Sequence, residues 1–173
     1  KTRLIPSLLV DSKKHLIKTT QFEKRHYLGD PINSAYIFSG FEVDELLVLD
    51  IDASLEERSI PFDFVKALAS LTSVPLTIGG GIGSLLQIQK ILSFGVERVA
   101  LSASLSRNFK LLEQAANKFG SSSISVVVNL KYDSNNIAQG YLGRPEIGEP
   151  KPIESLVKDI QNMPKVYNFF KNK

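Results

Sequence analysis

Three consecutive glycines, Gly79, Gly80 and Gly81, close a short apolar run at residues 74–78 (VPLTI), and Ser84 opens a helix-like segment just beyond them. Without Cβ atoms, backbone N–H groups can approach an anion closely, and the N-terminus of the following helix adds a favourable dipole. That is phosphate-binding chemistry. A tight turn that needs unusual dihedrals accounts for three glycines equally well. Asp50 and Asp52 end a second apolar run, residues 45–52 (ELLVLDID). Residues two apart on a strand point the same way, so the two carboxylates could exchange protons. The expectation preferred here is structural: Asp52 caps the following loop and Asp50 forms a salt bridge within the fold. Histidine is the side-chain type suited to a charge switch, but His15 and His26 are read as exposed loop residues.

These residues must be held by elements, and the chain alternates short apolar runs with segments of helical period. Residues 4–10 (LIPSLLV), 45–52, 74–78, 98–102 (RVALS) and 124–131 (ISVVVNLK) read as five strands. Their near-continuous apolar character is that of parallel strands covered on both faces. Between them lie four helices. One runs from Asp30 as N-cap, with Pro31 at the first helical position, to residue 38; the second runs from Pro61 to about residue 71; the third is capped by Ser84; and the fourth is capped by Asn108 and ends near residue 119. A faint repeat, Val43-Asp44-Glu45-Leu46 against Val96-Glu97-Arg98-Val99, suits a repeated pair of βα units. Strand and helix in alternation imply a parallel α/β fold. After the fifth strand the pattern changes to a hairpin at residues 132–142 with Asn135-Asn136 at its tip, then a proline-rich connector, one helix at residues 153–162 and a basic tail. The expected division is a partial barrel over residues 1–143 and the connector, helix and tail over 144–173.

Composition removes several function classes. The 173 residues are 43% hydrophobic and 23% charged, an ordinary globular balance. With no cysteine and two histidines, a disulfide framework and a thiolate metal site are excluded, and a zinc centre would depend on carboxylates. No metal or cofactor is expected. The net charge of +3 is gathered largely at the two ends, without the basic stripe and interleaved aromatics of a nucleic-acid binder. No apolar run approaches the roughly 20 residues needed to span a bilayer. The first residues run directly into a strand, unlike a signal peptide, so a cytoplasmic location is expected.

Several segments in order carry a resemblance. They are Arg3-Leu4-Ile5-Pro6-Ser7-Leu8, Lys18-Thr19-Thr20-Gln21-Phe22, Gly29-Asp30-Pro31, Asp44-Glu45-Leu46 through Leu49-Asp50-Ile51-Asp52-Ala53-Ser54, Gly79-Gly80-Gly81-Ile82, and Phe119-Gly120-Ser121 followed by Val126-Val127-Val128. From residue 3 to residue 143 the chain resembles the cyclase subunit of imidazole glycerol phosphate synthase. The resemblance implies a (β/α)₈ TIM barrel of the ribulose-phosphate-binding type. A whole barrel takes ~250 residues, so about five strands of an incomplete barrel are expected here.

The resemblance implies a function too. The family condenses a phosphorylated ribulosyl-carboxamide with ammonia, supplied by a glutamine amidotransferase docked at the barrel bottom and passed through the barrel to the strands' C-terminal ends. It adds Ser102 and Ala103 to the phosphate site with Gly79, Gly80 and Gly81; Ser102 and Ala103 stand where the family typically has Asn-Thr. Arg3, Glu45 and Arg98 match in charge the gate over the ammonia entrance, on the face that meets the partner. Lys18 matches a loop lysine that closes over a phosphate. The first-strand catalytic aspartate falls on Leu9, with Asp11 two residues on, and the fifth-strand catalytic aspartate falls on Asn129.

Both proton-shuttling carboxylates are thus replaced, and enzymatic activity as a lyase-type cyclase is left open. The primary reading is an ammonia-using cyclase or synthase subunit paired with a glutamine amidotransferase, as in histidine biosynthesis. One alternative is a homologous subunit that amidates nucleotide-linked sugars for lipopolysaccharide, where an apolar residue at the first-strand position is common. Another is an inactive remnant that acts only as a binding module. Open edges on the first and fifth strands are expected to promote self-association.

Overall fold

The structure, a computed structural model, describes residues 2–20, 24–41, 43–145 and 148–162. Gln21 and Phe22 of the resembling loop, and the basic tail beyond residue 162, lie outside the described residues. Strand β1 (Ser7–Val10) is followed by an antiparallel hairpin, β2 (Leu16–Thr20) and β3 (Lys24–Gly29), and then helix α1 (Pro31–Gly40). Next come β4 (Leu46–Asp50), α2 (Phe62–Leu71), β5 (Leu76–Gly79), α3 (Leu85–Leu92), β6 (Arg98–Leu101), the short α4 (Ala103–Arg107), α5 (Lys110–Phe119) and β7 (Ile124–Val126). These strands form one seven-stranded sheet in the order β3-β2-β1-β4-β5-β6-β7. The pairs from β1 through β4, β5 and β6 to β7 are parallel, and those of β2 with β1 and β3 are antiparallel. The result is an incomplete (β/α)₈ barrel.

Alternation along each strand builds two layers. Leu8, Val10, Leu46, Val48, Leu76, Ile78, Val99 and Leu101 are buried, as are Phe64, Val65 and Leu68 of α2, Ile88 and Ile91 of α3, and Leu111, Leu112 and Ala115 of α5, all in one cluster. Burying each such aliphatic chain contributes about 1.5–3 kcal/mol. The helices pack in sequence, α1 on α2, α2 on α3 and α3 on α5. The opposite face carries Leu9, Leu47, Leu49 and Ala100, which line an open cavity.

The helix starts follow their caps. Asp30 accepts from the Asn33 N–H with Pro31 in the first turn, and Ser84 accepts from the Gln87 N–H. The fourth helix departs from expectation. Asn108 does not cap it with its side chain; α5 begins at Lys110, and the five-residue α4 precedes it.

Two further expectations are corrected. The segment between the first strand and first helix is the β2–β3 hairpin rather than a loop, so β1 is covered and the sheet edges among the described residues are β3 and β7. The expected fifth strand is two strands. Residues 124–126 pair with β6, whereas β8 (Asn129–Tyr132) turns away to pair with β9 (Ala138–Tyr141), which pairs in turn with β10 (Lys151–Pro152). The hairpin tip is where the sequence placed it, with the Asp133 carboxylate accepting from the Asn135 and Ile137 N–H groups and Asn136 at positive φ. Helix α6 (Ile153–Gln161) packs on this small sheet; a Cβ on Gly140 would lie 3.1 Å from Leu156 and 3.2 Å from Ile153. A division after residue 143 therefore cuts β8 and β9 from the β10 and α6 they pack with. No helix among the described residues is long and apolar enough to cross a membrane.

Candidate functional site

The two ends of the parallel strands differ in chemistry. At the N-terminal end, Glu45 precedes β4 and is 5% exposed. Its carboxylate accepts from the Arg3 guanidinium at 2.9 Å, from Arg98 at 2.7 Å and from the Thr77 hydroxyl. Arg98 also donates through Nε to the Ser122 carbonyl. The fold thus brings Arg3, Glu45 and Arg98 into one ionic cluster, completed by Thr77, a partner the sequence reading missed.

At the C-terminal end lies a cavity of about 390 Å³. It runs from Ser7 and Leu47 on the inner face up to a rim formed by Asp50, Gly80, Gly81, Ser102, Ala103, Ser104, Asn129 and Arg144. Gly80 and Gly81 reach the rim; Gly79 is an inner-face spacer, where a Cβ would lie 2.6 Å from Leu49 and 3.0 Å from Ala100. Gly80 and Gly81 adopt φ of +133° and +61°, and Gly81 lies against the Arg58 carbonyl. The glycines make the tight turn, and that turn borders the cavity.

The carboxylates at the rim are structurally engaged: the expected salt bridge of Asp50 is present, but the loop cap expected of Asp52 is made by Asp50 as well. Asp50 is the loop cap: it accepts from the N–H groups of Asp52 and Ala53 at 3.0 Å each and pairs with Arg58 at 2.6 Å. Asp52 is the long-range anchor. It accepts from both arms of Arg25 on β3, at 2.6 and 2.8 Å, and from the Ser12 N–H at 3.1 Å. The hydrogen-bonded Arg25 holds the Asp52 carboxyl below the usual carboxylate range; burial opposes this, while the Ser12 N–H and the charges of Arg25 and Arg144 reinforce it. A lowered native pKa contributes stability that is present above the unfolded value near 3.8 and lost as pH falls through the lower native value. Below pH 3.8 the β2–β3 hairpin is therefore expected to lose hydrogen-exchange protection earlier than β5 and β6. Asp52→Asn should show weak hairpin protection already at neutral pH, with little further loss on acidification; an unchanged acid profile in that variant would refute the assignment.

The remaining sequence candidates separate. Leu9 lines the cavity; Asp11 does not. The Asp11 carboxylate accepts from the Lys13 and His15 N–H groups and shapes the turn between β1 and β2. Lys18 is exposed, paired across the hairpin with His26, while its neighbour Thr19 faces the cavity. His15 packs edge-on to Tyr27 with ring centroids 5.3 Å apart. Neither histidine borders the cavity. Asn129 donates through Nδ2 to the Gly143 carbonyl at 2.6 Å. The Ser102 hydroxyl donates to the Val127 carbonyl at 2.6 Å and accepts from the Gly143 N–H at 2.9 Å. The two residues clamp Gly143 from both sides, Ser102 at its N–H and Asn129 at its carbonyl, which places the following Arg144 at the rim. The sequence reading missed Arg25, Arg58, Ser104 and Arg144, because long-range partners leave no spacing signal. Among the described residues no group of three or more His, Asp or Glu side chains is arranged to hold a metal ion.

The sequence model of a family described as "Histidine biosynthesis protein" matches residues 3–160. The chain belongs to that family. A Leptospira interrogans protein provisionally named imidazole glycerol phosphate synthase subunit HisF is 41% identical over 131 residues, covering 76% of this chain and 51% of the relative. A similarly named Leptospira borgpetersenii protein is 40% identical over 161 residues, covering 91% and 62%. The imidazole glycerol phosphate synthase subunit HisF of Staphylococcus aureus strain JH9 is 35% identical over 133 residues, covering 77% and 52%. This member of the histidine-biosynthesis family thus spans little more than half the length of the curated relatives it matches. The resemblance to the cyclase subunits read from the sequence is borne out at the level of the family.

Proposed function

We propose that the chain forms part of an ammonia-using synthase subunit of this family, which binds a phosphorylated sugar-type substrate at the barrel mouth and receives ammonia from a glutamine amidotransferase at the barrel bottom. The observation that carries this reading is the polarity of the half-barrel. The Glu45 cluster sits at one end, the Gly80-Gly81 turn at the other, and the cavity runs between them from Leu47 to the rim. The site is assigned to the cytoplasm.

Leu9 and Asn129 bear on the chemistry. Where the resemblance places two carboxylates, the cavity holds an aliphatic side chain and an amide already bonded to Gly143. Neither can act as a general base at neutral pH. This favours a second reading, in which the same architecture delivers ammonia to a nucleotide-linked sugar without the acid–base steps of imidazole formation. The test is ammonia-dependent cyclisation by the full chain with ammonium salt and the ribulosyl-carboxamide substrate. Product formation is expected at the uncatalysed background. A turnover approaching about 1 s⁻¹, the low end of ordinary enzymes, would show that the cavity is catalytically complete and overturn the second reading.

A further inference from the structure

Among the described residues, two charged side chains line the cavity, Asp50 and Arg144. Asp50 is fully engaged by Arg58 and two backbone N–H groups. Arg144 is placed differently. Its partner acid is Asp52 at 3.7 Å, too far for a hydrogen bond. Both Asp52 oxygens already accept from Arg25, and one also from Ser12. Among the described residues no oxygen accepts a hydrogen bond from the Arg144 guanidinium, although its side chain is only 18% exposed. A guanidinium carries five donors in a rigid fork suited to oxyanions, and leaving it desolvated without acceptors is costly.

A second observation points to the same place. Ser104 is 7% exposed, and its hydroxyl has no hydrogen-bond partner among the described residues. Ser104 borders the cavity, and its Cβ lies 3.8 Å from where a Cβ on Gly83 would sit. On the other side, a Cβ on Gly143 would lie 3.0 Å from the Ala103 Cβ. Ser104 adjoins Gly83, just past the glycine turn, and its neighbour Ala103 adjoins Gly143, so these three segments border the same cavity, and the clamp on Gly143 fixes where Arg144 emerges. The guanidinium and the Ser104 hydroxyl, which must turn from its buried position to reach a ligand, belong to different elements, so a ligand bonded to both presents acceptors in more than one direction. That suits a tetrahedral phosphate better than a planar carboxylate, which the guanidinium fork alone would satisfy.

We propose that Arg144 is the charged contact for a phosphate monoester at this rim, with the Ser104 hydroxyl as a neutral donor beside it. The proposal rests on the phosphate-binding reading above and adds the residue that supplies its charge.

Titration of the full chain with inorganic phosphate and with ribose 5-phosphate, with acetate at matched ionic strength as control, tests it by calorimetry. Arg144→Ala should weaken phosphate binding about tenfold or more. Arg144→Lys, which keeps the charge without the fork, should fall between. Without phosphate, Arg144→Ala should still unfold cooperatively, which separates lost binding from lost folding. Wild-type binding that Arg144→Ala leaves unchanged would overturn the role of Arg144 and leave the glycine turn as the phosphate site. Absence of phosphate binding by wild type would sink both readings. Acetate binding as tightly as phosphate would overturn the preference for a phosphate. Should Arg144→Ala not fold, Arg144→Lys decides, because wild-type affinity in that variant refutes a contact through the fork.

Discussion

Replacing Gly81 with alanine is expected to destabilise the fold by more than about 3 kcal/mol, enough to unfold a domain of ordinary marginal stability on mild heating. Two terms combine. At φ +61° a Cβ costs ~1–2 kcal/mol in any surroundings. The same Cβ would also fall 1.8 Å from the Arg58 carbonyl oxygen, a backbone atom that cannot rotate away, and overpacking of this kind costs typically 1–3 kcal/mol and occasionally more. Relief would require the loop after β4 to move. That loop carries the Asp50–Arg58 pair and the Ile60 N–H that donates to the Gly80 carbonyl. Gly95 is the internal control: its φ is +89°, but a Cβ there meets nothing within 4 Å. Gly95→Ala should show the backbone term alone. Urea denaturation that finds the two variants equally stable would refute the close-approach argument.

The second large effect is expected at Glu45. Its carboxylate joins three strands at the barrel bottom, holding Thr77 of β5, Arg98 of β6 and Arg3 before β1. Glu45→Ala leaves those partners without their common acceptor, and breaking a buried ion pair in this way costs ~3–5 kcal/mol. For a chain of this size that corresponds to a fall in Tm of roughly 10 °C. The measurement also bears on the ammonia-gate reading. If Glu45→Gln keeps the wild-type Tm, the charge is not needed for the fold, and a role in passage or docking gains weight. A Tm loss as large in Glu45→Gln as in Glu45→Ala would identify the cluster as chiefly a structural tie.

The helices and parallel strands were legible because each carries its own signal: Asp30-Pro31 and Ser84 mark helix starts, and the apolar runs before Asp50 and Gly79 mark strands covered on both sides. The β2–β3 hairpin was not, because β3, KRHYLG, presents five exposed residues in a row and has no alternating apolar face. Its place is fixed by Arg25 reaching Asp52, 27 positions away. The apolar run ISVVV hid a change of sheet. Val127 still donates its N–H to Leu101, but by Asn129 the chain has turned to pair with Tyr141. At the candidate site the glycines and the charged cluster were readable from type and position. The engagement of Ser102 and Asn129 with Gly143 was not, since nothing local to either residue announces a partner 41 or 14 positions on.

That clamp makes an acid at position 129 costly to introduce as a single change. An aspartate there would exchange the N–H that donates to the Gly143 carbonyl at 2.6 Å for an oxygen with nothing to donate at neutral pH. Two acceptors would then face each other at hydrogen-bonding distance, at a cost of about 1–3 kcal/mol. The peptide thrust aside is the one that sets the position of Arg144. A carboxylate at position 129 would first require Gly143 and Arg144 to leave their present places at the rim, so Asn129 and the segment it holds are coupled.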